Sequence, residues 1–125
     1  MVTVAVAVWC GTVLALASIQ LGLASDRLAE GDLDGAARAA RSAAELEPWA
    51  AEPSLRLAEI ELTGTNYESA RRRAEEAVRA SPDDFRPWVL LGEIQNAVGN
   101  PDVADVYSLK AFMLAPYVIA RISAE

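Results

Sequence analysis

Three short stretches of this sequence concentrate charge or reactivity enough to do chemistry: Asp83-Asp84, Arg71-Arg72-Arg73 and the single thiol, Cys10. Two adjacent carboxylates can share a proton in acid–base work, yet these follow Ser81-Pro82, where a helix should begin. Acidic and hydroxyl side chains there are expected to cap the helix and sit favourably against its dipole. The arginine run could touch anionic lipid head groups or a phosphate-bearing glycan. Spacings of four, however, join Glu68 to Arg72, Arg71 to Glu75 and Glu75 to Arg79, which reads as a solvated face laced with modest ion pairs. Cys10 follows the bulky Trp9, where a lipidation site needs small residues, so it reads as a small apolar side chain. With no His and one Cys, the chain has no His-based metal site, no His general base and no internal disulfide. A net charge of −7 disfavours nucleic acid, because phosphate neutralisation needs a basic face. No motif for phosphate cradling or nucleophilic catalysis is present. Trp49 and Trp88 read as packing residues. Catalytic, cofactor-binding and metal-ligating residues are therefore expected to be none.

The elements that must position these side chains repeat. Pro48, Pro82 and Pro116 stand 34 residues apart. Leu23, Leu57 and Leu91 share one register, as do Ala36, Ala70 and Ala104, and then Ala43, Ala77 and Ala111. A 34-residue period is the length of a helix–turn–helix unit that buries its apolar face only by stacking on copies of itself. Small residues at Ala58, Gly92, Ala70, Ala104, Ala77 and Ala111 let antiparallel helices approach closely, and Leu57 and Leu91 fill the space between hairpins. Turns are expected at Gly31-Asp32, Gly64-Thr65-Asn66 and Gly99-Asn100-Pro101, with Ser81 and Asp83 as caps and Pro53 and Pro87 in first turns. The reading is all-α: about three hairpins, over 17–50, 51–84 and 85–116, in an antiparallel solenoid.

Trp88, Leu91-Gly92, Gly99, Ala104, Ala111 and Pro116 in the third unit resemble the tetratricopeptide repeat (TPR). The second unit keeps Leu57-Ala58, Ala70, Ala77 and Pro82, and the first keeps Leu23-Ala24, Gly31, Ala36, Ala43 and Pro48. Usual aromatic places hold Ala40, Ala74 and Ser108, and Arg27, Glu61 and Gln95, without shifting the register. The resemblance implies that the first helix of each hairpin lines a concave surface for a protein partner, an extended peptide or a helix. The matching residues are Glu52, Leu55, Arg56, Glu59 and Leu62, then Arg86, Val89, Leu90, Glu93 and Asn96. Members that grip a terminal carboxylate use Lys, Arg and Asn at several of these places. Glu59 and Glu93 hold the central ones here, so that activity is not expected and a polar or basic segment suits the groove better.

From Val2 to Ser25 there is no charged side chain. At ~1.5 Å per residue the run reaches ~36 Å, enough for the ~30 Å hydrocarbon layer, so residues 1–24 are expected to form a transmembrane helix. A cleaved signal peptide is the alternative, with Gly22-Leu23-Ala24 before Ser25, though the n-region lacks Lys and Arg. A buried helix in a soluble oligomer is the third. No flexible linker separates the apolar run from the first unit, so one continuous helix would serve as anchor and as first repeat helix. Arg27, Arg38 and Arg41 favour a cytoplasmic repeat domain, but Asp26, Glu30, Asp32 and Asp34 make the same flank acidic, and no orientation is assigned. Residues 117–125, with Val118, Ile119 and Ile122, are expected to start a partial capping helix.

The expected function is a non-catalytic, membrane-anchored scaffold for protein–protein interaction, single-pass in a bacterial cell membrane. Arginine-biased usage, with Lys110 the one lysine, fits a GC-rich genome. Two alternatives stand beside it. The organisation also resembles the carboxy-terminal repeat tail of bacterial O-antigen ligase and polymerase-like membrane proteins, and signal cleavage would give a secreted or periplasmic repeat protein.

Overall fold

The computed structural model describes the backbone of residues 2–116 and the side chains of residues 12–116. Six α-helices follow in chain order: α1 (Val2–Ala29), α2 (Leu33–Leu46), α3 (Ala51–Thr63), α4 (Tyr67–Ala80), α5 (Arg86–Ala97) and α6 (Pro101–Leu114). Pro48, Pro82 and Pro116 each fall two residues beyond the end of α2, α4 and α6. A proline there cannot extend the helix, since it lacks the N–H and clashes with the preceding turn. Pro53 and Pro87 sit inside the first turns of α3 and α5, where no intrahelical N–H bond is lost.

Each hairpin reverses through the same backbone device. The amides of Asp32, Asn66 and Asn100 donate to the carbonyls of Arg27, Glu61 and Gln95 at 2.9, 2.8 and 2.8 Å. Such six-to-one bonds close a helix whose next residue is left-handed. That residue is Gly31 (φ 78°) in the first turn, Thr65 (φ 63°) in the second and Gly99 (φ 86°) in the third, again 34 apart. The second turn falls at Gly64-Thr65-Asn66 as expected, with Gly64 (φ −79°) capping the end of α3. Asp32 caps α2 by accepting the Gly35 amide at 2.8 Å. At the start of α5 the expected caps Ser81 and Asp83 are not used: Asp84 accepts the Arg86 amide at 3.0 Å.

Alanine columns make the contacts. Ala36, Ala40, Ala43, Ala70, Ala74, Ala77, Ala104 and Ala111 are all buried. One cluster joins Ala24, Ala36, Ala37, Ala39 and Ala40 to Leu57 and Ile60, so α1, α2 and α3 share a core. A second joins Leu55, Ala58, Ala70, Ala74 and Ala77 to Leu90, Leu91 and Ile94, uniting α3, α4 and α5. At Gly92 a Cβ would stand 3.4 Å from the Ala104 carbonyl oxygen and 3.3 Å from Ser108 Oγ, so α5 and α6 lie close.

Helices pack most extensively within a hairpin, then second helix to next first helix. First helices also touch one another, α1 with α3 and α3 with α5, whereas among the described residues α2 does not reach α4, nor α4 reach α6. A stack whose first helices crowd and whose second helices splay is curved, with α1, α3 and α5 on its inner side.

The apolar start behaves differently from the expectation. Among the described residues no helix is long and apolar enough to cross a membrane. Within α1, Ala17 and Ala24 are buried, Ala24 against the alanines of α2. Its second half is thus committed to the first hairpin. The remaining residues 2–16 measure ~22 Å, short of the ~30 Å hydrocarbon layer. The transmembrane helix expected over 1–24 is not supported. The capping helix expected over 117–125 lies outside the described residues.

Candidate functional site

The inner side of the stack is a surface of half-exposed polar groups. On α3 it carries Glu52, Arg56 and Glu59 at spacings of four and three; on α5 it carries Arg86, Val89, Glu93 and Asn96. The two rows belong to one surface, because Arg86 Nη1 meets Glu52 Oε2 at 3.0 Å across the hairpins. Arg86 also holds Asp84 at 2.7 Å. Arg56 lies between Glu59 at 2.9 Å and Glu52 at 3.7 Å along its own helix. These pairs are partly solvated, so they orient side chains more than they stabilise the fold.

The charges of this surface are not evenly matched. Both of its arginines are already engaged by carboxylates. The Glu93 carboxyl is pushed above its ordinary range, first because its surroundings strip water from it and second because Glu59 repels its charged form. Asp84 is held below the usual carboxylate range, chiefly by the Arg86 guanidinium and also by the Arg86 amide. The centre of the groove, around Glu59 and Glu93, therefore has room for a cation, while its Arg86 end is self-neutralised.

Leu55 does not belong to this surface. It is buried in the α3–α5 core, as is Leu90, and Leu62 is packed against the same cluster. A helix wedged between two neighbours has two buried faces, and leucine there serves the core. Residues that sequence reasoning passed over continue the inner stripe onto α1: Ser18, Gly22 and Ser25 stand 34 before Glu52, Arg56 and Glu59. A Cβ on Gly22 would touch nothing, so the groove opens there. The 34-residue shift alone would have found them.

Other sequence candidates resolve as structure. The expected Arg71–Glu75 pair forms at 2.6 Å, but Arg71 also takes Glu68 at 2.7 Å and Arg73 takes Glu76 at 3.1 Å, in place of the expected Glu68–Arg72 and Glu75–Arg79 pairs. Trp88 packs against Tyr107 with centroids 5.9 Å apart, and Lys110 Nζ lies 5.7 Å from its ring. Trp49 was expected to pack and does not; it stands exposed beside Pro48, Ser54, Glu76 and Arg79 on an open depression of about 390 Å³. A wider cleft of about 560 Å³ separates the start of α4 from the turn after α5. Its charged residues Glu68 and Arg71 are paired with each other. Among the described residues no group of His, Cys, Asp and Glu is placed to hold a metal ion.

The sequence profile described as tetratricopeptide repeat matches residues 27–94, more than half of the chain. A search of curated proteins gives no match. Solved structures of similar fold include the type III secretion translocator chaperone SycD of Yersinia enterocolitica, at TM-score 0.82 and 16% identity, covering 88% of each chain. The second TPR of Spaghetti (RPAP3), bound to an HSP90 peptide, matches at TM-score 0.74 and 15% identity over 79% of this chain and 92% of that one. An O-GlcNAc transferase of Thermobaculum terrenum matches at TM-score 0.78 and 22% identity, over 84% of this chain but only 20% of the transferase. At these identities the likeness is one of fold. The expected likeness to O-antigen ligases finds no support in these matches.

Proposed function

The chain belongs to the tetratricopeptide repeat family, and from that premise we propose that it is a non-catalytic scaffold holding a protein segment along its inner surface. The observation that carries this reading is the convergence of α1, α3 and α5 on one concave side, where half-exposed polar residues and Val89 are arrayed at helical spacing. A chain of the same fold holds an HSP90 peptide, which supports the use of this architecture for an extended ligand. Glu59 and Glu93 at the centre favour a segment that places a basic residue there, since a cation would relieve their repulsion. The test is capture of the partner by the full chain. Glu59→Gln with Glu93→Gln lowers the yield at unchanged helical content, whereas Arg72→Ala on the outer side of α4 leaves it intact. Undiminished capture by the double variant rejects the groove.

Membrane contact is a second, separable reading. Val2–Ser25 carries no charge, and Leu14, Leu16, Ile19 and Leu23 are exposed along α1. A helix too short to span beyond the first hairpin can still lie in the interface with its apolar side in lipid. Flotation of the full chain with neutral lipid vesicles supports this attachment, and recovery of all the protein in the lipid-free fraction rejects it.

A further inference from the structure

We propose that the outer face of α6 is a contact between two copies of this chain, forming a two-fold dimer with the inner groove left free. The three second helices occupy one register but differ in what they turn outward. One outward position holds Arg38 in α2, Arg72 in α4 and Val106 in α6; a second holds Arg41, Glu75 and Leu109; a third holds Glu45, Arg79 and Met113. Six charged residues in the first two units become three aliphatic ones in the third. In α6 these three are 65%, 60% and 69% exposed, with Val103 and Phe112 flanking them at 43% and 45%. A contiguous apolar stripe on an otherwise polar helix surface is one meant to be covered.

A further hairpin of the same solenoid would cover Phe112, whose equivalent Val78 packs against the α3–α5 core, but not Val106 or Met113. Arg38, Glu45, Arg72 and Arg79 remain exposed in α2 and α4 although the next hairpin is already in place there. Val106 and Met113 hold the same positions, so residues 117–125 in that role would leave them exposed as well. An anionic membrane surface fits poorly, because the rim carries Asp102 and Asp105 and its one cation, Lys110, is drawn toward Trp88. A second copy fits. Val106, Leu109 and Met113 recur at three and four residues, the spacing of a helix–helix seam. In an antiparallel pair centred on Leu109, that side chain meets its own copy and Val106 of each copy faces Met113 of the other. Val106, Leu109 and Met113 expose on the order of 350 Å², within the range of the biggest apolar patch on an ordinary monomer. Two copies together bury about 700 Å² of apolar surface, below the ~1,000 Å² of a stable specific interface, so the dimer is weak and concentration-dependent. This inference concerns the side opposite the groove and stands or falls apart from it.

Sedimentation equilibrium of the full chain from about 1 to about 300 μM tests it. The expected result is a shift from one-chain to two-chain mass within that range. The variant Val106→Arg, Leu109→Glu, Met113→Arg gives α6 the outward residues of α4 and should stay at one-chain mass with unchanged helicity and melting. As a readout independent of that variant's folding, Leu109→Cys in a Cys10→Ser background should oxidise to a two-chain species, while Arg72→Cys in the same background should not. A wild-type mass of one chain throughout overturns the proposal. So does association that the triple variant retains, which would place the contact elsewhere, on the front of α1 for example. A monomeric protein whose binding to neutral vesicles is lost in the triple variant would assign the face to lipid and also overturn it.

Discussion

The middle of the stack and its two outer helices carry the same register but different surroundings. Leu57 and Leu91, between hairpins, are 1% and 2% exposed, while Leu23 at the equivalent place in α1 is 43% exposed. On the outward side, Arg72 and Arg79 of α4 correspond to Val106 and Met113 of α6. Interior helices thus match their residues to their surroundings: apolar where covered, charged where wet. The outer helices α1 and α6 do not match, and each bears apolar side chains in the open. Where a repeat array departs from its own rule, the departure marks a surface with a job other than stacking.

The largest expected effect separates the two environments directly. Leu57→Ala or Leu91→Ala removes a fully covered side chain and should cost about 2–5 kcal/mol. Leu23→Ala should cost less than about 1 kcal/mol, because little burial is lost. Urea unfolding of the three variants measures the difference, and an equal loss at Leu23 would mean that α1 is covered in solution.

A smaller effect is expected at the turns, where all three hairpins should behave alike and one does not. Thr65 is β-branched in a left-handed conformation, while Gly31 and Gly99 hold the same conformation without a Cβ. Thr65→Gly should therefore raise stability by up to about 1 kcal/mol, and Gly31→Ala or Gly99→Ala should lower it by about 1–2 kcal/mol. Thermal melts of the three variants would show opposite signs; a loss at Thr65→Gly would contradict the turn geometry.

The smallest effect is electrostatic and confined to the inner face. Glu93 has a raised folded-state value, so its charged form costs stability above that value, and the cost disappears at pH below its unfolded one. Asp84 has a lowered value, so it contributes stability at neutral pH that is lost as pH falls through its folded value. Glu93→Gln should give a slight gain at neutral pH and none in acid, whereas Asp84→Asn should give a loss at neutral pH that vanishes in acid. Melting temperatures from pH 7 down to about 3 distinguish the two.

Much of this architecture could be read from the chain itself. The prolines mark helix ends because they cannot extend a helix, and the alanine columns mark contacts because only small side chains let backbones approach. The second turn falls where expected, at Gly64-Thr65-Asn66, but its left-handed residue is marked by the period of 34, which points to Thr65, and not by the glycine. The family resemblance puts Leu55 in the groove, yet a helix between two neighbours has two buried faces, and position within the repeat alone does not say that Leu55 lies on one of them. The apolar start read as a membrane span because nothing in its composition says which alanines meet α2. The outward change in α6 was masked by Ala104 and Ala111, whose inward register stays intact.

Photo-crosslinking tests the central claim, that the first helices form the binding face, most directly. A benzophenone amino acid replacing Val89 on the inner face is compared in cells with the same group replacing Arg72 on the outer face. A discrete heavier adduct is expected from Val89 and none from Arg72. Adducts from Arg72 with none from Val89 would put the partner on the wrong side of the stack and contradict the account.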